Sequence, residues 1–482
     1  MGRHFISVLG TGMYSETNYC YEGKNVKTPF VQEALLDMLF EEAKPGDKVS
    51  IFLTDQAKEK NWESREYTEK ERENAEKNGR VLPEISVGLK EILTPKYGKI
   101  LAEEEKCMLP LGGTEEELWK IFHVILDSIE ENEEVYIDIT HSLRNIPIQM
   151  LAVIFYARTL KSIQVQGIYY GAFEVKTEEG TPIFNLRTFL DVLDWSQAAK
   201  SFIKYGDSDQ IYELCQEQQK VYREKMRDLL YTVKELNLFT HDLETSRGYY
   251  DVQLERKCKA SALGTYKRYK KAYTKLLDID AEKQEGETKQ ASIIAPMEGL
   301  LNCIDRSIEN FDVDTNLDLG MEAVRWAIEK KKTQQGFTAL EETIKTFLCC
   351  HYGLNEAAEE DRDWISKDIC RYLNLNYVKT KKERKVSEDE CRRILFEQWM
   401  HDAENGRFNE IESKREKVYN MFLTIPEELF KLIPSIGDKR NSMNHFGYSN
   451  SYKFSSKNLE VDLSELYQKF VEIKQRMEEG GN

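Results

Sequence analysis

The sequence predicts an α/β domain built on a mainly parallel sheet and followed by an all-helical region. Strand and helix patterns alternate over the first 195 residues, and strand patterns then give way to long amphipathic helical segments. A chain of 482 residues is also too long for one ordinary core, which favours two or three domains. We predict a Rossmann-like N-terminal domain at 1–195, a helical connecting region at 196–290 and a C-terminal helical domain at 291–482.

The N-terminal domain begins with two short β-branched apolar runs, His4–Gly10 and Lys48–Thr54, on either side of a helical pattern at Pro29–Glu42. A second helical pattern, Thr114–Ile129, opens with a Thr-x-x-Glu capping box. The elements after it are a strand at Val135–Thr140, a helix at Asn145–Leu160 and strands at Ile163–Glu174 and Ile183–Arg187. This alternation implies right-handed crossovers, so the sheet should be mainly parallel with helices on both faces.

The composition is typical of a soluble globular protein. The formal net charge of −17 argues against a surface that coats itself in nucleic acid, although it leaves room for a local basic site. Nine cysteines without a CxxC pair indicate free thiols rather than a metal site. The sequence shows no signal peptide and no membrane span, so a cytoplasmic location is expected. The charge-dense stretch Lys58–Arg80 is predicted to be a solvated excursion.

The first candidate site follows the opening strand, where Gly10, Thr11, Gly12 and Met13 come in succession. Glycines let a backbone approach a ligand closely, and exposed amides can bind phosphate. Ser15 stands where the dinucleotide fingerprint has its third glycine, so that fingerprint is incomplete. Many first strands also turn with glycine for steric reasons alone, and the sequence leaves both interpretations open.

The second candidate site is the loop between the strand that carries Asp138 and the helix that Pro147 helps to start. Hydrogen-bond donors, a guanidinium suited to phosphate and the positive end of a helix coincide there. The residues concerned are Thr140, His141, Ser142, Arg144 and Asn145. We expect Asp138 to hold the loop by accepting backbone amides, and Thr54 to line the same sheet edge. A plain turn around a buried histidine is the alternative.

The third candidate site is the spacing Arg440-Asn441-x-x-x-His445 near the C-terminus. A helix is predicted to begin at the N-cap Asp438, which sets Arg440 and His445 about 140° apart at roughly 100° per residue. One copy would not bring both side chains to one phosphodiester, whereas two copies across a two-fold axis would. Imidazole can transfer protons and guanidinium can stabilise a phosphorane, while Asn441 orients either group. An exposed helix with an unrelated arginine and histidine is the alternative.

The two motifs together resemble the CARF–HEPN effector ribonucleases of type III CRISPR systems, in particular the Csx-type branch. The loop Asp138–Arg144 reads D-x-T-H-S-x-R, with serine at 142 where glycine is commoner, and the C-terminal motif reads R-N-x3-H. The opening FISVLGTGMY, the segment Trp326–Glu342 and the junction Asn185–Trp195 are also similar to that branch.

The resemblance implies a homodimer in which two N-terminal CARF domains share one pocket for a cyclic oligoadenylate, with tetra-adenylate favoured. The pocket would use Gly10–Met13, Thr54, Thr140–Ser142, Arg144 and Asn145. Two C-terminal HEPN domains would form one site, with Arg440, Asn441 and His445 cleaving single-stranded RNA without a metal or other cofactor.

Two other functions stay open: a ligand-sensing dimer with a non-catalytic HEPN scaffold, and a nicotinamide-dependent oxidoreductase, against which the incomplete glycine fingerprint argues. The sequence does not reveal the ring size, the RNA preference or whether the CARF domain degrades its activator.

Overall fold

The computed structural model describes residues 2–77, 79, 81–141, 145–222, 226–250, 261–284, 294–403, 408–445, 448 and 455–480. The chain divides into two compact units, Met1–Leu193 and Asp194–Asn482. The first unit contains the β-strands, and the second is helical in its described residues.

The first unit is built on a mixed sheet. Its strands are β1 (Arg3–Val8), β2 (Thr17–Tyr21), β3 (Lys24–Thr28), β4 (Lys48–Phe52), β5 (Arg65–Glu66), β6 (Ile85–Ser86), β7 (Glu134–Asp138), β8 (Gln164–Gly171) and β9 (Thr181–Asn185). The seven-stranded sheet has the order β3-β2-β9-β8-β7-β1-β4, and β5 pairs with β6 separately. The pairs β1–β4, β1–β7, β7–β8 and β2–β9 are parallel, whereas β8–β9 and β2–β3 are antiparallel.

The strands predicted at the start of the chain, at Lys48–Thr54 and after residue 135 are confirmed, and parallel pairing predominates as predicted. The β2–β3 hairpin was not predicted. Its two-residue turn places Glu22 and Gly23 at φ of 49° and 78°, and a Gly at the second turn position is a usable hairpin signal.

Helices cover both faces of the sheet because β1 alternates its side chains between two apolar clusters. Its Phe5 packs with the helices at Val31–Leu39 and Leu89–Tyr97, whereas Ile6 packs with those at Glu115–Ser128 and Ile146–Leu160. The helices of this unit are α1 (Val31–Leu39), α2 (Asp55–Ala57), α3 (Glu69–Lys77), α4 (Leu89–Tyr97), α5 (Glu115–Ser128) and α6 (Ile146–Leu160), with a π-turn at Lys58–Trp62 after α2. The predicted helices at Pro29–Glu42, Thr114–Ile129 and Asn145–Leu160 are confirmed.

The second unit contains most of α7, which crosses the boundary, and the helices after it. They are α7 (Arg187–Tyr205), α8 (Asp209–Tyr222), α9 (Arg227–Glu244), α10 (Ala262–Gln284), α11 (Ile294–Ile308), α12 (Asn316–Glu329), α13 (Thr333–His351), α14 (Glu359–Asp363), α15 (Arg371–Arg384), α16 (Glu388–Ala403), α17 (Phe408–Ser413), α18 (Arg415–Thr424), α19 (Glu427–Asn444) and α20 (Ser456–Glu479). Its apolar core has two parts, one drawn from residues 195–327 and the other from residues 324–473. In the described part of the chain, no helix is both long and apolar enough to cross a membrane.

Two expectations from the sequence are wrong. The helix that carries Arg440 begins at Glu427 rather than at Asp438, and it continues through Pro434. Buried Leu429, Phe430, Leu432, Ile433 and Ile436 lie along this helix, and their packing outweighs the local cost of proline. The stretch Lys58–Arg80 is also not uniformly solvated, because Asn61 and Trp62 are buried.

Candidate functional site

The sheet order brings the N-terminal candidate residues to one edge. Strands β7, β1 and β4 are adjacent and parallel, and Ser7 of β1 pairs with both Asp138 and Ile51. The segments that follow these three strands therefore leave the sheet on the same side. They are the loop at Gly10–Met13, Thr54, and Thr140 with His141. Ligands of such sheets bind beyond the carboxyl ends of the strands.

A buried carboxylate anchors this edge. Asp138 accepts the Thr140 amide at 2.9 Å, the Thr140 hydroxyl at 2.6 Å and the Ser7 hydroxyl at 2.7 Å. Burial raises the pKa of Asp138, and the hydrogen bonds from Thr140 and Ser7 oppose that rise. Asp138 therefore holds the loop, as expected. The Thr140 hydroxyl also accepts the Gly171 amide at 2.8 Å, so its proton and a lone pair are both engaged within the fold.

His141 packs against Tyr14, with ring centroids 4.3 Å apart. Burial lowers the pKa of His141, with partial opposition from Asp138, and this favours the neutral imidazole. Its Nε2 is buried and has no hydrogen-bond partner among the described residues. Gly10 packs closely beside this pair, because an added Cβ would lie 2.8 Å from the Tyr14 hydroxyl and would require the tyrosine to shift.

The remaining candidate residues of this edge differ in exposure. Gly12 and Met13 are exposed and Thr11 is half-buried. Thr54 is buried, and its hydroxyl accepts the Ala57 amide at 3.3 Å as a helix cap. Asn145 is the N-cap residue of α6 but makes no side-chain cap bond. Ser142 and Arg144 lie outside the described residues.

The C-terminal candidate residues lie at the end of α19. Arg440 donates from Nη2 to the Asn441 side-chain oxygen at 3.3 Å. His445 is the C-cap residue, is exposed, and has no side-chain hydrogen bond within the described chain. Within the described residues, no hydrogen bond or ion pair joins the side chains of Arg440 and His445. This agrees with their separation around the helix.

The partner of Arg440 was not predicted from the sequence. The Arg440 guanidinium forms an ion pair with Glu341 at 2.9 Å, and the same carboxylate pairs with Lys345 at 3.0 Å. Glu341 is 8% exposed and Arg440 is 26% exposed, so solvent screens this pair only partly. The i, i+4 spacing of Glu341 and Lys345 on α13 was the available signal, but it could not reveal contact with a residue about a hundred positions away.

Metal ligands do not cluster in the parts of the chain that the structure describes. No group of three or more His, Cys, Asp or Glu side chains is placed to hold a metal ion there. The cysteines described are free thiols.

Comparison with known proteins concerns the N-terminal unit. Residues 4–174 match the family model described as "CRISPR system endoribonuclease Csx1, CARF domain". The chain is also 30% identical over 129 residues to the CRISPR-associated protein MJ1674 of Methanocaldococcus jannaschii. That match covers 26% of this chain and only 20% of the relative. The chain therefore contains a domain of the CARF type and is similar to CRISPR-associated proteins over part of its length.

Proposed function

We propose that this protein is a cyclic-oligoadenylate-activated, metal-independent endoribonuclease that cleaves single-stranded RNA in type III CRISPR defence. The observation that carries the proposal is the order of its parts. A CARF-type domain at 4–174 is followed by a helical unit in which Arg440, buried at Nε, is held by a carboxylate.

The CARF-type domain supports the sensing step. A phosphate-rich ligand needs hydrogen-bond donors at an open edge, and the loop at Gly10–Met13 offers backbone amides there. Arg144, which the motif places in the same loop as His141, adds a guanidinium for bidentate contact with phosphate. A cyclic ligand with repeated units suits a two-fold axis, because isologous contacts occur twice.

The helical unit supports the cleavage step. The imidazole of His445 can move a proton to or from the ribose 2′-hydroxyl or the leaving oxygen. The guanidinium of Arg440 can stabilise charge on the phosphorane, and Asn441 can orient the phosphate. Because Arg440 and His445 of one copy are separated around the helix end, the proposed site takes its groups from two copies.

Exposed apolar residues support a dimer through the N-terminal unit. Ile148 and Leu151 of α6 and Phe189 and Leu193 of α7 are 74%, 37%, 66% and 41% exposed. An apolar groove of about 210 Å³ lies between these two helices. Contiguous exposed apolar surface is unusual on a monomer and is typical of an interface.

A ligand-sensing dimer with a non-catalytic helical scaffold is the alternative function. It would bind cyclic oligoadenylate but cleave no RNA. The ion pair at Arg440 favours the enzyme, because removing a carboxylate that is 8% exposed and a guanidinium that is 26% exposed from water costs free energy. Charged groups kept at such a cost are common at functional sites.

The decisive experiment is a single-stranded RNase assay with cyclic tri-, tetra- and hexa-adenylate, with and without EDTA. We expect one ring to activate cleavage and EDTA to leave it unchanged. Arg440→Ala and His445→Ala should each abolish cleavage while binding of the ring, measured by calorimetry, stays intact. Wild-type cleavage by either variant would overturn the catalytic assignment. Absence of cleavage with every ring, together with tight binding of one, would favour the scaffold.

A further inference from the structure

The loop at Gly10–Met13 is held by a residue from a different part of the chain. Asn61, which is 7% exposed, lies in the π-turn at Lys58–Trp62. Its side-chain amide donates to the Gly10 carbonyl at 2.8 Å and to the Gly12 carbonyl at 2.9 Å. One NH2 group therefore fixes two carbonyls of the same loop.

These two bonds determine where the loop directs its amides. In a trans peptide the carbonyl and the following N–H point in opposite directions. With the carbonyls of Gly10 and Gly12 turned toward Asn61, the N–H groups of Thr11 and Met13 must point away from it. Neither amide has an acceptor within the described residues. Two unpaired N–H groups on an exposed loop form a ready site for an anion.

The turn that carries Asn61 is itself firmly anchored. The Thr54 hydroxyl caps α2, the short helix that leads into this turn. The Glu104 carboxylate then accepts hydrogen bonds from Lys58 at 2.5 Å and from the Trp62 indole at 2.8 Å. The bond from Lys58 is the largest cause that lowers the pKa of Glu104 to about 2, so this anchor stays ionised at neutral pH. Thr54 and Glu104 therefore both support the segment that carries Asn61.

We propose that Asn61 is a positioning residue that presents the Thr11 and Met13 amides to a phosphate group of the activator. The inference rests on the proposed function for the identity of the ligand, and it assigns to residues 54–62 a role in ligand affinity. Asn61 itself contacts the loop and not the ligand.

The test compares Asn61→Asp and Asn61→Ala with Lys60→Ala in the full-length protein. The Asp variant keeps the shape of the side chain but turns carboxylate oxygens toward two carbonyl oxygens, which should displace the loop. Lys60 is an exposed neighbour in the same turn and serves as the control. Binding of cyclic tri-, tetra- and hexa-adenylate is measured by calorimetry, together with the melting temperature and the RNase rate at saturating ring.

We expect both Asn61 variants to bind the activating ring about tenfold more weakly or worse, since two hydrogen bonds are lost in each copy. The RNase rate at saturating ring should fall as well, because displaced amides can no longer favour the active state. Lys60→Ala should bind like the wild type. If the wild type binds a ring and Asn61→Asp binds it equally well, the inference is wrong while the proposed function stands.

Hydrogen exchange on the wild-type protein provides a test that needs no variant. The Thr11 and Met13 amides should exchange rapidly in the free protein and slow down when the ring binds. Unchanged exchange at both amides in a ring-saturated protein would overturn the inference. A wild-type protein that binds none of cyclic tri-, tetra- and hexa-adenylate would overturn the proposed function and this inference with it.

Discussion

Glu341→Gln tests whether the ion pair at Arg440 prepares the proposed nuclease site. The carboxylate lies between two cations, Arg440 at 2.9 Å and Lys345 at 3.0 Å. The substitution keeps the shape of the side chain but removes the carboxylate that pairs with Arg440, whereas Lys345 keeps its ion pair with Glu342 at 2.8 Å. Exposed pairs contribute about 0–1 kcal/mol, and breaking a buried pair costs about 3–5 kcal/mol. Because Arg440 is partly exposed, we expect the free energy of unfolding to fall by about 2–3 kcal/mol.

The same energy sets the expected loss of activity. If Glu341 stabilises one orientation of Arg440 by about 2 kcal/mol, losing it lowers the population ratio of that orientation to all others roughly thirtyfold. Activated RNA cleavage at saturating cyclic oligoadenylate should therefore fall by between about twofold and about thirtyfold, the larger loss applying where the orientation is unfavourable without Glu341. Cleavage of a fluorogenic single-stranded RNA measures the rate, and urea unfolding followed by circular dichroism measures the stability.

Glu342→Gln is the matched control, because the neighbouring glutamate pairs with Lys345 at 2.8 Å and with Arg362 at 2.6 Å but has no recorded contact with Arg440. It should lose stability while retaining most of the activated cleavage. Equal cleavage by both variants, whether high or low, would refute the role assigned to Glu341.

Two further predictions concern stability. Gly206→Ala should destabilise the protein by about 2–4 kcal/mol in urea unfolding, because its φ of 70° disfavours a Cβ and the new atom would overlap the Trp326 ring. His4→Gln should flatten the pH dependence of stability. Burial lowers the pKa of His4 from 6.5 despite Glu133, so the unfolded chain binds the proton more readily and the wild type loses stability as the pH falls below 6.5. The free energy of unfolding should change with pH by at most about 1.4 kcal/mol per pH unit through this one group. Identical slopes in wild type and variant would contradict this assignment.

The sequence predicted the elements that are set by local pattern. The capping box at Thr114 starts a helix because its hydroxyl accepts the Glu117 amide, a contact that needs only neighbours in the chain. The position of α19 depended instead on distant packing. Its buried face continues through Pro434, which local rules would have placed at a boundary.

The candidate sites were likewise predictable where a local sequence pattern defines them, but not where they depend on contacts between distant residues. The glycine loop and the loop after Asp138 were visible as strand ends, but their common edge required the strand order β7-β1-β4. Asn61 was not recognised because the two carbonyls that its side chain contacts lie 51 and 49 positions away in the sequence. Glu341 was not recognised because its partner Arg440 lies 99 positions away. Hydrophobic periodicity predicts which face of a helix or strand is buried. It does not predict a single buried amide side chain within a charge-dense stretch such as Lys58–Arg80.

On the proposed function, the contacts at Thr11 and Met13 are sufficient in size to switch the enzyme. A ligand shifts an equilibrium only by its differential affinity for the two states. Activation by about a hundredfold requires about 2.7 kcal/mol, or about 1.4 kcal/mol from each copy of a symmetric dimer. One charge-assisted hydrogen bond contributes about 1.5–3 kcal/mol. In this mechanism both amides of each loop bind phosphate in the active dimer, and one of them loses that contact in the inactive dimer. The lost contact then provides the whole coupling energy. A side chain that fixes the direction of these amides would then influence activation as strongly as a residue that touches the ligand.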